Sequence, residues 1–200
     1  LDERPIIALL PGSRKQEIER MLSVMLSVTP DFPDYQFVVA GAPSQEEAYY
    51  EKLFRQFGAL TGVRLISGAT YPLLREARAA LVTSGTATLE TALLGVPQIV
   101  CYRGNPVSYA IAKQLINVKY ISLVNLIMDQ ELVLELIQGD LNPNRLRQEL
   151  QNLLTPKEQA RIQSGYRKLR QRLGQGGAPQ RCAQLLVDDL KHQLTQQNTP

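Results

Sequence analysis

Between Pro5 and about Leu123, short and almost wholly apolar runs alternate with longer stretches in which apolar residues recur every three or four positions. The apolar runs are Ile6–Leu10, Tyr35–Ala40, Val63–Ile66, Ala79–Thr83, Gln98–Tyr102 and Lys119–Leu123, and they predict six strands. Strands that are apolar throughout, rather than alternating, belong to a parallel sheet covered on both faces. Ser13 with Gln16, and Ser44 with Glu47, have the spacing of capping boxes, which open helices over Arg14–Val28 and Gln45–Phe57. Pro72 and Pro106 stand where proline opens a helix, predicting shorter ones through Ala77 and Ile116. Alternation of this length implies right-handed crossovers and the α/β class, with a Rossmann-like, doubly wound parallel sheet. From Asp129 onward the pattern is helical only, over roughly Gln130–Gln138, Pro143–Leu153, Pro156–Leu173 and Ala178–Gln193. The expected organisation is a Rossmann-like domain over 1–128 and an all-helical C-terminal extension over 129–200 packed on it.

Composition narrows the class without naming a chemistry. The 200 residues are 44% hydrophobic and 20% charged, with 13 Gly and 12 Pro, which excludes collagen-like and highly charged disordered chains. A net charge of +3 is too small to argue for nucleic acid. Cys101 and Cys182 make no disulfide framework and point to a reducing compartment. The least charged stretch, Ala79 to Tyr102, carries only Glu90, but Thr-Ser-Gly-Thr and Gly-Val-Pro interrupt it, so it is no membrane span. Between Lys157 and Arg172, six basic residues face only Glu158, the pattern of a solvated helix face or of a surface for a polyanion or acidic lipid. The chain opens on Leu1 and enters a strand within four residues, an abrupt start expected of a piece of something longer.

The candidate chemistry lies in loops that follow strands, where sheets of this kind bind ligands. In Leu10-Pro11-Gly12-Ser13-Arg14, Gly12 permits a tight turn, Ser13 caps a helix and Arg14 lies at its positive end. Free amides beside a guanidinium make an anion seat, although the same residues suit an ordinary turn with a surface arginine. Thr83-Ser84-Gly85-Thr86-Ala87-Thr88-Leu89-Glu90 opens a helix with small hydroxyl residues and one glycine. Its backbone amides from Gly85 to Ala87 can approach a diphosphate, and Glu90 shares a helix face with Thr86. A carboxylate one turn inside an anion-binding helix suits two vicinal ribose hydroxyls; the alternative is an acid stabilised by the helix dipole. Arg103 is either a phosphate partner or a solvated loop residue, and Asn125 either a ligand contact or the cap of a turn. The lone His192 has no nucleophile context, and neither zinc-ligand spacing nor a GxxxxGK[ST] loop occurs.

Leu-Leu-Pro-Gly-Ser-Arg at 9–14 followed by Glu17-Ile18, Ser-Gly-Thr-Ala-Thr-Leu-Glu at 84–90, Cys-Tyr-Arg at 101–103, Tyr-Ile-Ser-Leu-Val-Asn-Leu at 120–126 and Gly-Gln-Gly-Gly-Ala-Pro-Gln-Arg at 174–181 occur in this order. The ordered set resembles the second half of the lipid-A-disaccharide synthase family, over Pro5 to about Leu190. The resemblance implies one Rossmann-like half of a GT-B glycosyltransferase, the half that holds the UDP-sugar. It implies condensation of UDP-2,3-diacylglucosamine with 2,3-diacylglucosamine 1-phosphate to lipid A disaccharide and UDP, with inversion and without a metal or other cofactor. Gly12, Ser13 and Arg14 would face the diphosphate, Ser84, Gly85 and Thr86 would supply amides, Glu90 would hold the ribose, and Arg103 and Asn125 would line the cleft. Arg14 and Arg103 would stabilise the leaving group, while the general base and the acyl-binding surface belong to an amino-terminal half absent here. Val124 and Gln130 depart from the family pattern, and Gln130 is left out of the site for that reason. The implied setting is the cytoplasmic face of the inner membrane of a Gram-negative bacterium, peripherally bound, with a homodimer and no nucleic-acid partner. Alternatives with the same fold are a peptidoglycan glycosyltransferase or a UDP-N-acetylglucosamine 2-epimerase; outside enzymes, the alternative is a nucleotide-binding or oligomerising module.

Overall fold

The computed structural model describes residues 2–58, 62–104, 119–174 and 176–197. Six strands form one parallel sheet: β1 (Ile6–Leu10), β2 (Gln36–Gly41), β3 (Val63–Ser67), β4 (Ala77–Thr83), β5 (Gln98–Tyr102) and β6 (Leu134–Ile137), in the spatial order β3-β2-β1-β4-β5-β6. Between and after them lie α1 (Lys15–Ser27), α2 (Glu47–Gln56), α3 (Thr70–Glu76), α4 (Thr86–Leu93), α5 (Leu123–Met128), α6 (Pro143–Leu153), α7 (Pro156–Leu173) and α8 (Ala178–Gln197). Both sheet faces are buried, as continuous apolar strands require. Ile7, Leu9, Phe37, Val39, Leu81 and Ile99 join a core with α1, α2, α6 and α7. Ile6, Ala8, Leu10, Val38, Ala80 and Val82 face the other way, onto Leu73 and Leu74 of α3. The strand period of two thus divides each run between two cores.

Chain contacts divide the protein into two compact units, residues 1–169 and 170–200. The first holds the whole sheet. In it, the buried Tyr166 donates its hydroxyl to the Val96 carbonyl at 3.1 Å and accepts from Gln98 Nε2 at 3.1 Å. In the second unit, α8 exposes Leu185, Leu186, Val187 and Leu190. Cys101, on β5, is fully buried, and burial pushes its thiol up to about 12; Cys182 is exposed. An aromatic disulfide reagent at pH 8 is therefore expected to titrate Cys182 rapidly and Cys101 only after denaturation. Rapid reaction of both thiols in the native protein would contradict the burial of β5.

Three sequence expectations fail, and they fail together. Lys119–Leu123 is not a strand: Ser122 caps α5 by accepting from the Asn125 amide at 3.3 Å, and the Ile121 and Ser122 amides bind the Glu135 carboxylate. Gln130–Gln138 is not a helix, because Leu134–Ile137 pairs with β5 as the sixth strand. Pairing at an open sheet edge overrides the helix propensity of a Leu- and Glu-rich segment. The boundary expected after residue 128 therefore falls within the sheet unit, which continues through Leu169, and 129–200 is not wholly helical. The helix expected from Pro106 through Ile116 lies outside the described residues.

Candidate functional site

In this strand order the chain runs outward from β1 to β3 on one side and from β4 to β6 on the other. The reversal lies between β1 and β4, whose carboxyl ends are neighbours through the pairing of Leu10 with Val82. Connections leave these two strands in opposite directions, so a crevice opens above them, the usual ligand position in an open α/β sheet. A cavity of about 630 Å³ occupies it, lined from β1 and α1 by Gly12, Ser13, Arg14 and Glu17, and from β4 and α4 by Thr83, Ser84, Gly85, Thr86 and Glu90. Pro43 after β2 and Tyr71 on α3 complete the rim. The volume lies within the range of small-molecule sites.

The loop after β1 is built differently from a capping box. The cap of α1 is Arg14, whose side chain makes no capping bond, and the Ser13 amide donates to Glu17 Oε2 at 3.0 Å. Gly12 has φ +102°, and an added Cβ would lie 2.2 Å from that same Glu17 oxygen. Glycine is thus required twice, by the backbone and by the close approach of the carboxylate. Ser44 likewise caps nothing; its hydroxyl donates to the Ser13 carbonyl at 3.3 Å, tying the next crossover to this loop. Both expected boxes are displaced because each helix starts later than the spacing implied, at Lys15 and Glu47.

The loop after β4 places Gly85 at the cap of α4; Gly85, Thr86 and Ala87 line the cavity, and the first amides of a helix have no intrahelical partners. The Ser84 hydroxyl is already engaged, donating to the Ile121 carbonyl at 2.9 Å. Glu90 is half-buried on the cavity wall. Thr83, only 4% exposed, also lines the cavity, and among the described residues its hydroxyl has no hydrogen-bond partner.

Arg103 does not line this cavity. It borders a neighbouring one of about 320 Å³ with Arg14, Glu17, Arg20 and Thr83, and its guanidinium donates to the Leu141 carbonyl. Asn125 lines neither. It is fully buried, accepting from the Leu132 and Val133 amides at 2.8 and 3.0 Å and donating to the Val133 carbonyl and to Glu135 Oε1, each at 2.8 Å. All its polar capacity is spent on protein, which makes it an internal clamp rather than a cleft residue. Arg161, within the basic segment, is also structural: it pairs with Glu158 at 2.6 Å and donates to the Leu132 carbonyl at 3.0 Å. No group of three or more potential metal-ligating side chains occurs among the described residues.

Comparison with known proteins gives this geometry a family. Residues 1–187 match the family model described as lipid-A-disaccharide synthetase. The chain belongs to the lipid-A-disaccharide synthase family. The lipid-A-disaccharide synthase of Syntrophus aciditrophicus (strain SB) is 42% identical over 190 residues, 92% of this chain and 49% of that protein. That of Geobacter sulfurreducens is 31% identical over 196 residues, 96% of this chain and 50% of that protein. The chain therefore spans about half the length of the curated relatives it matches. Among solved structures, WaaG, a glycosyltransferase involved in lipopolysaccharide biosynthesis, is similar with a TM-score of 0.58 at 16% identity, covering 84% of this chain and 43% of WaaG. The C-terminal CMP-Kdo binding domain of WaaA from Acinetobacter baumannii is similar with a TM-score of 0.55 at 16% identity, covering 87% of this chain and 91% of that domain. These likenesses show the fold alone, a Rossmann-like α/β domain of the GT-B kind.

Within this member of the lipid-A-disaccharide synthase family, Gly12, Ser13, Arg14, Ser84, Gly85, Thr86 and Glu90 converge on one cavity. Sequence reasoning missed Thr83, Tyr71 and the role of Glu17. For Glu17 a signal existed: an acid in the first turn, four residues after Ser13, can reach back to a loop amide. For Tyr71 none existed, because only the fold brings the start of α3 to the ends of β1 and β4.

Proposed function

We propose that this chain is the UDP-sugar-binding half of a glycosyltransferase that condenses UDP-2,3-diacylglucosamine with 2,3-diacylglucosamine 1-phosphate, forming lipid A disaccharide and UDP. The observation that carries this reading is the convergence of the α4 amino terminus, Arg14 and Glu90 on one cavity of about 630 Å³ at the switch point. The α4 amides and the Arg14 guanidinium supply a field for a diphosphate, and Glu90 lies one turn further in, where it can accept from both ribose hydroxyls. In the reaction the acceptor hydroxyl attacks the anomeric carbon and the bond to the β-phosphate oxygen breaks. Negative charge then grows on the leaving UDP, facing the α4 amides and Arg14. Donors fixed in advance at such a point contribute several kcal/mol to lowering a barrier. The acceptor's proton goes to a base outside this chain, in the part of the relatives that it does not span.

No described helix is long and apolar enough to cross a membrane. Family membership supports a complete protein that meets the cytoplasmic face of the inner membrane peripherally and works as a homodimer on its two acylated sugar substrates, without metal or cofactor.

Calorimetric titration of the chain with UDP tests the central claim. Wild type is expected to bind, and Glu90→Ala to bind roughly 10- to 100-fold more weakly, the ~1.4–2.8 kcal/mol of hydrogen bonds to a charged group. Equal affinities would remove Glu90 from the ribose site.

A further inference from the structure

We propose that the smaller cavity is a second anion site, built for a phosphomonoester and separate from the diphosphate seat. Its volume is about 320 Å³, and three arginines line it: Arg14 at the cap of α1, Arg20 on α1, and Arg103 from the loop after β5. Among the described residues, none of the three has a carboxylate partner. Glu17 is the one acidic side chain in the lining, and its Oε2 is occupied by the Ser13 amide. Lys15 also lines the cavity, and its ammonium lies 5.5 Å from the centre of the Tyr49 ring. The Arg103 guanidinium is steadied by the Leu141 carbonyl, which pre-orients a fork that would otherwise wander through solvent.

The second observation is Thr83. Its hydroxyl is buried at the carboxyl end of β4, on the wall of both cavities, and has no partner among the described residues. A buried hydroxyl left unpaired costs free energy, and a ligand oxygen at this point would satisfy it. Planar guanidinium forks match tetrahedral phosphate oxygens, and a dianion matches several converging cations better than a carboxylate does. The α4 amides open only on the larger cavity, so the smaller one relies on arginine for charge.

The two cavities share Arg14, Glu17 and Thr83, so a phosphate in one lies beside a diphosphate in the other. The occupant's identity rests on the function proposed above: it is the 1-phosphate of the acceptor sugar. Arg14 then stands between the two phosphate groups and takes part in aligning acceptor with donor. Arg20, which borders only the smaller cavity, is a specificity residue for the acceptor.

Calorimetry on the chain saturated with UDP, using glucosamine 1-phosphate in one arm and inorganic phosphate in the other, tests this. Glucosamine 1-phosphate is expected to bind in the presence of UDP, and Arg20→Ala to weaken it at least tenfold while Arg20→Lys recovers part of the loss. Tighter binding of the sugar phosphate than of phosphate assigns the acceptor; equal binding keeps the anion site but removes the sugar from it. Displacement by UDP, or an unchanged affinity in Arg20→Ala, overturns the proposal. If UDP itself fails to bind, the donor assignment falls, while the Arg20 dependence of phosphate binding, measured without UDP, still decides the second site. A urea midpoint for each variant confirms that the comparison is between folded proteins.

Discussion

Replacing Asn125 with alanine is expected to lower the unfolding free energy by about 3–5 kcal/mol, read from urea denaturation. The side chain is fully buried and makes four hydrogen bonds of 2.8 to 3.0 Å. Alanine would take from the buried Val133 amide and carbonyl the partner that Asn125 gives each of them, while the Leu132 amide keeps the Gln130 carbonyl at 2.9 Å, and buried groups left unpaired cost roughly 1–3 kcal/mol each. The loss extends further, because Asn125 also holds the Glu135 carboxylate. Glu135 accepts from the Ile121 and Ser122 amides at 2.8 and 3.0 Å and from the Ser122 hydroxyl at 2.7 Å. The Ile121 carbonyl in turn receives the Ser84 hydroxyl at the mouth of the larger cavity. Weaker UDP binding should therefore accompany the loss of stability, although Asn125 touches neither cavity. A change below about 1 kcal/mol would show that water replaces the side chain at little cost.

Gly12→Ala is the second change expected to have a large effect, and its effect falls on both stability and ligand. At φ +102° an alanine is strained by roughly 1–2 kcal/mol, and its methyl would lie 2.2 Å from Glu17 Oε2. Glu17 can swing away, but doing so frees the Ser13 amide and moves a carboxylate within the cavity we propose for phosphates. A combined destabilisation of about 2–4 kcal/mol is expected, together with at least tenfold weaker UDP binding. Adding Glu17→Ala to Gly12→Ala removes the collision and not the backbone strain, so partial recovery of stability in the double variant identifies the clash. No recovery would assign the whole effect to the backbone.

Much of this protein was legible along the chain, for particular reasons. β1 and β5 are found where their apolar runs end, and α6 and α7 begin at the prolines that predict them, Pro143 and Pro156. Gly12, Ser13, Arg14 and the Ser84–Glu90 loop, which border one cavity, could be read in part because each is a local object, a strand end followed by a helix start. What failed was non-local. β6 carries Leu and Glu in a helix-like composition, and it is a strand because β5 presents an unpaired edge. Asn125 reads as a loop residue until Glu135, ten positions on, is seen to complete its partners.

The sequence by itself determined the class, the parallel sheet and the two strand-to-helix loops that line the larger cavity, since strand burial on both faces and helix-start chemistry are written in neighbouring residues. Only the tertiary structure decided that the loops after β1 and β4 face one cavity, because their adjacency comes from the order β3-β2-β1-β4-β5-β6 and not from proximity in the chain. It also separated Arg103 from the larger cavity and turned Asn125 inward, because hydrogen-bond partners on later elements, Leu141 for Arg103 and Leu132, Val133 and Glu135 for Asn125, set where a polar side chain points.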